Sequence, residues 1–363
     1  MYITFLIGNG FDLNLGLKTR YKDFLEVYTS GTYSTKIKDD SILSYFKNEI
    51  SENEDLWSDA ELAFGQLTSK FKSDNKNAED FSECHEDFCV NLANYLAEQE
   101  NRINFNNLKE ITSKAVFSAI QNYLNYFREV ENEQIKSSYI NIEEGYVYNF
   151  LNFNYTKTLN KCFSALKNSG IDIGKRTFRG NMSYTNGLGN VINVHGTVIS
   201  DMVFGVGDKS QIAMPSLFDG YSSEYVNQII KSEIDKDNKE NTYKKAYNIL
   251  DNSRLIYIYG MSIGETDKLW WERICTLMHK NKDLNIIIHM FDAPKSPLIR
   301  RKYTTFENQV RERFLSFSNL DKSQKDDIFG RIHIDGSNIF SGLTNLVENP
   351  KNVFEKELAA SSK

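Results

Sequence analysis

Proline is scarce: the chain has four in 363 residues, and the first is Pro215. Long helices can therefore run through its first half without the breaks proline imposes. Cysteine is equally sparse. Four residues (Cys84, Cys89, Cys162 and Cys275) in a chain of this length do not make a disulfide framework. The pair in "CHEDFC" has no second ligand cluster at zinc spacing, so it reads as helix residues. No apolar run reaches the roughly 18 residues of a membrane span, and the N-terminus lacks the basic and apolar regions of a secretion signal. The expectation is a cytoplasmic protein without a membrane partner. Positive charge is not in excess either. A net charge of −6 and a pI near 5.6 provide no basic field to attract nucleic acid, although they do not forbid a local basic patch. There is no internal repeat and no interdomain linker. Aromatics are plentiful (24 Phe and 20 Tyr), which reads as compositional drift.

The first stretch, "MYITFLIGNGFDLNLGLKTRYKDFL", is the most informative. Residues 1–7 are apolar and β-branched, as in a buried strand. Gly8, Asn9 and Gly10 follow, and then apolar residues recur at helical spacing. Strand, glycine turn and helix are the parts of a phosphate-binding loop, in which backbone N–H groups and a helix N-terminus face the anion. The third glycine of G-x-G-x-x-G is replaced by Leu13, so the same stretch also fits a plain tight turn. From there to about residue 140 the periodicity is helical, as in "ILSYFKNEI", "LWSDAELAFGQLTSKF", "FCVNLANYLAEQ" and "AVFSAIQNYLNYFREV". From Tyr146 onward short apolar runs take over, several of them apolar on both faces like central strands of a parallel sheet. The pattern predicts an α/β core from residues 1–30 and 140–345, a helical insertion at 31–139 and a tail at 346–363. The charged stretch "KSEIDKDNKENTYKKAYN" reads as a solvated helix or mobile loop, or as a lid over a substrate.

In open α/β sheets ligands bind beyond the carboxyl ends of the strands. Those ends carry Gly8, Asn9, Gly10 and Asp12; Asn154, Tyr155 and Thr156; His195 and Gly196; Gly207 and Asp208; and Gly260, Met261 and Ser262 followed by Glu265 and Asp267. Five such ends suggest a rim built for a polar ligand. Each residue also has a plainer explanation. Asn154 suits a turn, His195 a hydrogen-bonded structural role, and the acids of "GETD" a helix cap. Asp59 and Glu61, two apart near Trp57, do not share a helix face and read as surface residues.

Taken together, "LIGNGFDLNLGLKTRYKDFL", "LNFNYTKTLNK", "NVHG" and "YGMSIGETD" resemble the AbiH family of bacteriophage abortive-infection proteins across most of the chain. The same order of elements is more distantly similar to the sirtuin-like domains of prokaryotic defence proteins. Here Thr156 stands where those domains have Asp, Asn160 where they have an acid, and Asp12 at the usual serine position of the glycine turn. No cysteine zinc cluster is visible, and no metal is expected.

The resemblance implies a Rossmann-like, sirtuin-like, mostly parallel sheet with a large helical insertion after the first strand. It implies an anti-phage protein that takes NAD or a related nucleotide as substrate or ligand and hydrolyses the nicotinamide–ribose bond. His195 would accept a proton, and Asn154 would hold water or the ribose. Asp12 would support the developing cation or simply cap the following helix. The binding set would comprise Gly8, Asn9, Gly10, Phe11, Tyr155, Gly196, Gly260, Ser262, Glu265 and Asp267, with the diphosphate at residues 8–10. Three other readings stand beside it. One is a nucleotide sensor without turnover, another a nuclease or phosphohydrolase with magnesium on Asp12, Asp208 and Asp267, and the third an interaction protein that binds no nucleotide. A phage-derived trigger is expected, with self-association through the helical insertion as one means of restraint.

Overall fold

The computed structural model describes residues 1–348 except 36, 179–181, 238–240 and 294–299. Of the expected tail, only 346–348 therefore falls within the described residues. The α/β class and the mostly parallel sheet expected from the apolar runs are both present. The strands are β1 (Tyr2–Ile7), β2 (Val147–Asn152), β3 (Lys175–Phe178), β4 (Met182–Thr185), β5 (Gly187–Asn193), β6 (Ser253–Tyr259), β7 (Asn285–His289) and β8 (Ile332–Asp335). Six of them form one sheet in the order β5-β2-β1-β6-β7-β8, with every adjacent pair parallel. The other two, β3 and β4, make a separate antiparallel hairpin.

The first strand lies at the centre because it is apolar on both faces. Phe5 is aligned with Phe150 on one side and Tyr257 on the other. Ile3, Phe5 and Ile7 join one core, while Leu6 joins another on the opposite face. The first core is closed by α6 (Lys109–Asn122), α8 (Thr158–Lys167) and the segment around Phe340 and Leu346. The second is closed by α11 (Thr242–Asp251), α12 (Lys268–Lys280), α13 (Arg300–Ser316) and α14 (Lys322–Phe329). Cover on both faces accounts for strands that show no polar alternation.

Between β1 and β2 the chain is helical. It runs through α1 (Gly10–Asn14), α2 (Tyr21–Thr29), α3 (Asp40–Glu52), α4 (Ala60–Ser73), α5 (Ala78–Asn101), α6 and α7 (Glu129–Ser137), with short 3₁₀ turns between some of them. These helices serve two different cores. Residues beyond about 103 pack on the sheet, whereas α2 to α5 enclose a third core of their own. Later chain completes that third core through Phe204, Val206, Leu217, Phe218, Ile229 and Ile230, close to the short α9 (Glu224–Asn227) and α10 (Lys231–Asp237). Aromatics dominate it. Phe24, Tyr28, Phe46, Trp57, Phe64, Phe88 and Phe204 form a continuous set of ring contacts 5.0–6.4 Å apart. Much of the aromatic richness is thus the packing material of this helical lobe. Cys84 and Cys89 lie on α5 within or beside it, as expected of helix residues.

The two glycines after β1 answer to a close approach of backbone. The Gly8 amide donates to the Tyr259 carbonyl at 2.9 Å and the Gly10 amide to the Gly260 carbonyl at 2.8 Å. A Cβ on Gly10 would lie under 3.0 Å from Gly260, which itself sits at φ +65°. The turns after β1 and β6 are therefore packed backbone against backbone, which only glycine permits. Gly10→Ala is expected to lose about 1–3 kcal/mol through overpacking. Gly187→Ala, where no atom lies within 4 Å of the added Cβ, should stay within about 0.5 kcal/mol of the parent. Urea unfolding of both variants checks this, and equal stability would refute the steric account.

Candidate functional site

A pocket of about 460 Å³ opens where the ends of β1, β2, β5 and β6 meet the helical lobe. That volume is within the usual range for small-molecule sites. Gly8, Asn9, Asp12, Asn154, Tyr155, Thr156, His195, Gly260, Met261, Ser262 and Asp267 line it from the sheet side. Nine of the thirteen residues picked from the sequence are thus brought together. The other four lie elsewhere. Phe11 is buried and meets the Phe340 ring edge-on at 5.0 Å. Gly10 is packed on Gly260, and Glu265 is exposed, its carbonyl accepting from Gln211 at 2.7 Å. Gly196 lines a neighbouring hollow of about 670 Å³.

The strand ends are held in place by side-chain amides. Asn152 donates to the Asn193 carboxamide at 3.0 Å and to the Thr156 carbonyl at 3.2 Å, tying the end of β2 to that of β5. The Val194 amide donates to the Asn152 carbonyl, and Val203 to the His195 carbonyl, each at 2.8 Å. Asn154 and His195 are thereby placed on one wall of the pocket and buried. The Asn154 Nδ2 and the His195 Nε2 make no hydrogen bond with protein. Buried polar nitrogens are nearly always paired, so two unpaired atoms on one wall set this pocket apart.

His195 is held neutral. Burial depresses its pKa well below the ordinary 6.5, the Lys231 cation adds to the effect, and a hydrogen bond at the Phe153 backbone works in the opposite direction. The Asp267 carboxylate lies 3.7 Å from Nε2, too far for a hydrogen bond but close enough to pair with the imidazole once it is protonated.

Asp12 neither caps α1 nor stands free. One carboxylate oxygen accepts from the Thr156 hydroxyl at 2.6 Å and the other from the Thr158 hydroxyl at 2.5 Å. Burial nonetheless raises its pKa from 3.8 to about 6, against the lowering effect of both hydroxyls. Asn9 is similarly engaged: it donates to the Thr19 carbonyl at 2.9 Å and accepts from the Thr19 hydroxyl at 2.5 Å.

The helical lobe supplies the opposite wall, and there the sequence reading needs correcting. Asp59 and Glu61 are not surface acids; both line the pocket. Asp59 sits outside α4 as its N-cap, accepting from the Leu62 amide at 3.2 Å, so the helix-face argument does not apply to it. Glu61 is only 6% exposed. It accepts from the Tyr155 hydroxyl at 2.5 Å and from Lys231 Nζ at 2.7 Å. Lys231 begins the charged stretch expected to be solvated or a loop, yet it is 2% exposed and also lies 3.4 Å from Asp267. Burial opposes its charge, but Asp267 and Glu61 outweigh that and raise its pKa. Burial likewise lifts Glu61 above the usual carboxylate range despite Lys231. One buried ammonium thus joins the lobe to the sheet.

Asp208 stands apart from this network in role. It caps the 3₁₀ turn Lys209–Gln211, accepting from the Ser210 amide at 2.6 Å. Among the described residues, no three His, Cys, Asp or Glu side chains are gathered to hold a metal ion. Within the same residues no helix is long and apolar enough to cross a membrane.

The family model for "Bacteriophage abortive infection AbiH" matches residues 4–289, which includes most of β1, all of β2, β5 and β6, and the lobe. The chain belongs to the AbiH family. No curated protein matches it. In this AbiH protein the pocket is therefore made wholly from the part of the chain that the family shares.

The charge network makes two testable statements. Lys231→Met should cost about 3–5 kcal/mol by leaving buried carboxylates without their cation, and adding Glu61→Gln should restore part of the loss; thermal unfolding of the single and double variants reads this, and equal losses would refute the pairing. The raised pKa of Asp12 gives stability that is present below about pH 4 and lost as pH rises through about 6. Asp12→Asn should therefore gain on the parent by up to about 3 kcal/mol between pH 4 and pH 7 in urea titrations. A pH-independent difference would remove Asp12 as the cause.

Proposed function

We propose that this AbiH-family protein halts phage infection by hydrolysing NAD at its nicotinamide–ribose bond. The observation that carries the reading is the pair of buried, unpartnered nitrogens, Asn154 Nδ2 and His195 Nε2, on the wall of a pocket at the strand ends. Two further features support it. Numbered along the chain, the six sheet strands lie in the order third, second, first, fourth, fifth, sixth, as in dinucleotide-binding Rossmann folds. The pocket also unites the glycine turn, Asn154-Tyr155, His195 and Ser262, the elements on which the sirtuin-like resemblance rests.

In this mechanism a water oxygen bonds to the ribose C1′ as the C1′–N bond breaks. The bonding pair returns to the pyridinium nitrogen, so nicotinamide leaves neutral and needs no proton. The water's proton passes to His195 Nε2, which is available because burial keeps the imidazole neutral. Asp267, at 3.7 Å, stabilises the imidazolium as it forms. Asn154 holds the water or a ribose hydroxyl through its amide. Asp12 acts at one remove, fixing Thr156 beside Asn154 and Tyr155.

The test is the NAD content of phage-challenged cells expressing the protein, together with chromatography of NAD incubated with lysate from them. The parent should deplete NAD and release nicotinamide, while His195→Ala and Asn154→Ala should each slow release by about a hundredfold or more. Protection from phage with NAD undiminished would overturn the reading.

A further inference from the structure

Resting on the nucleotide reading, the question is where a phosphate-bearing ligand would place its negative charge. The turn after β1 is poorly equipped for it. Its Gly8 and Gly10 amides donate to Tyr259 and Gly260, and the Phe11 amide donates to the Gly8 carbonyl at 2.9 Å. The helix that follows, α1, has only five residues. The interior is acidic as well, lined by Asp12 and Asp267 from the sheet side and by Asp59 and Glu61 from the lobe. Lys231 is not part of the lining and is already paired with Glu61 and Asp267.

The opposite holds at the first turn of α2. Arg20, Tyr21 and Lys22 line the pocket, and Arg20 and Lys22 are the only Lys or Arg side chains among the described residues that do so. Both are exposed, whereas Asp12 and Glu61 are buried deeper in. The nine-residue α2 begins here with a capping box between Arg20 and Asp23, which leaves the Tyr21 and Lys22 amides of the first turn without a partner inside the helix. The Asp23 carboxylate accepts from the Arg20 amide at 3.2 Å. The pocket is thus divided by charge, acidic within and basic at its mouth, while the unpartnered Asn154 and His195 lie with the acids.

We infer that phosphates of the bound nucleotide sit at the mouth of the pocket on Arg20, Lys22 and the first turn of α2, not on the Gly8–Gly10 turn. The division sets the direction in which NAD enters. Its cationic nicotinamide ring is drawn to the acidic interior beside Asn154 and His195, and its diphosphate stays at the basic mouth. A nucleoside without phosphate lacks half of this recognition.

Calorimetry of the full chain tests the inference with two probes, ADP-ribose and the phosphate-free nicotinamide riboside, on the parent and on Arg20→Ala/Lys22→Ala. The parent should prefer ADP-ribose, and the double variant should lose about tenfold or more of that preference. Raising salt should narrow the parent's preference in the same direction. Arg20→Lys should recover part of the loss, which a folding defect would not allow. An unchanged preference in the double variant overturns the inference, as does a parent that binds no ADP-ribose. NAD chromatography on the same samples separates the two proposals. Intact NAD together with a preference that depends on Arg20 and Lys22 defeats hydrolysis alone, and cleaved NAD with an unchanged preference defeats the phosphate placement alone.

Discussion

A buried ammonium ties the pocket's two walls to each other. Lys231 reaches Glu61 on the helical lobe and Asp267 beyond β6, and both contacts are largely shielded from water. In such surroundings a charge is tolerated only while its partners stay in place. The geometry of Tyr155, whose hydroxyl donates to Glu61 and whose ring belongs to the lobe's aromatic core, depends on the same bridge. The electrostatics of His195 depend on it too, since the Lys231 charge helps to keep the imidazole neutral. Packing brings the lobe and the sheet together, and the charge bridge helps to fix how they meet, beside Glu100 of α5, which accepts from the Lys157 amide at 2.7 Å and pairs with Lys161.

Against that background the sheet was the legible part of the sequence. Strands buried on both faces announce themselves as continuous apolar runs, and the residues just beyond them lie where α/β geometry puts ligands. Asn154, His195, Ser262 and Asp267 could therefore be found without any knowledge of the lobe. Glu61 and Lys231 could not. A charged side chain is normally on the surface, and only contacts between residues 170 apart in the chain take these two out of water. No local pattern encodes that. Asp59 was hidden for a smaller reason, a cap that bends the chain just where periodicity treats it as straight helix.

The glycine turn shows the opposite error, in which a motif is visible but its cause is not. Gly8 and Gly10 are required whether or not a phosphate is near, because Gly260 occupies the space their side chains would need. A sequence displays the need for glycine and says nothing of what stands opposite. Asp12 is similar. Its position at the start of a helix suggests a cap, while its actual partners, Thr156 and Thr158, lie on a segment more than 140 residues away.

The lobe's aromatic core is discontinuous in sequence, drawn from α2 to α5 and from residues 204–230. The central strand likewise pairs with partners about 145 and 250 residues further along. On a ribosome, the first hundred residues emerge long before Phe204, Phe218 or Lys231 exist to complete them. Contacts this distant in sequence form late and close large loops. An interrupted chain therefore carries neither a finished lobe nor a finished pocket. The pocket itself is withheld from every nascent fragment until Asp267 has been added.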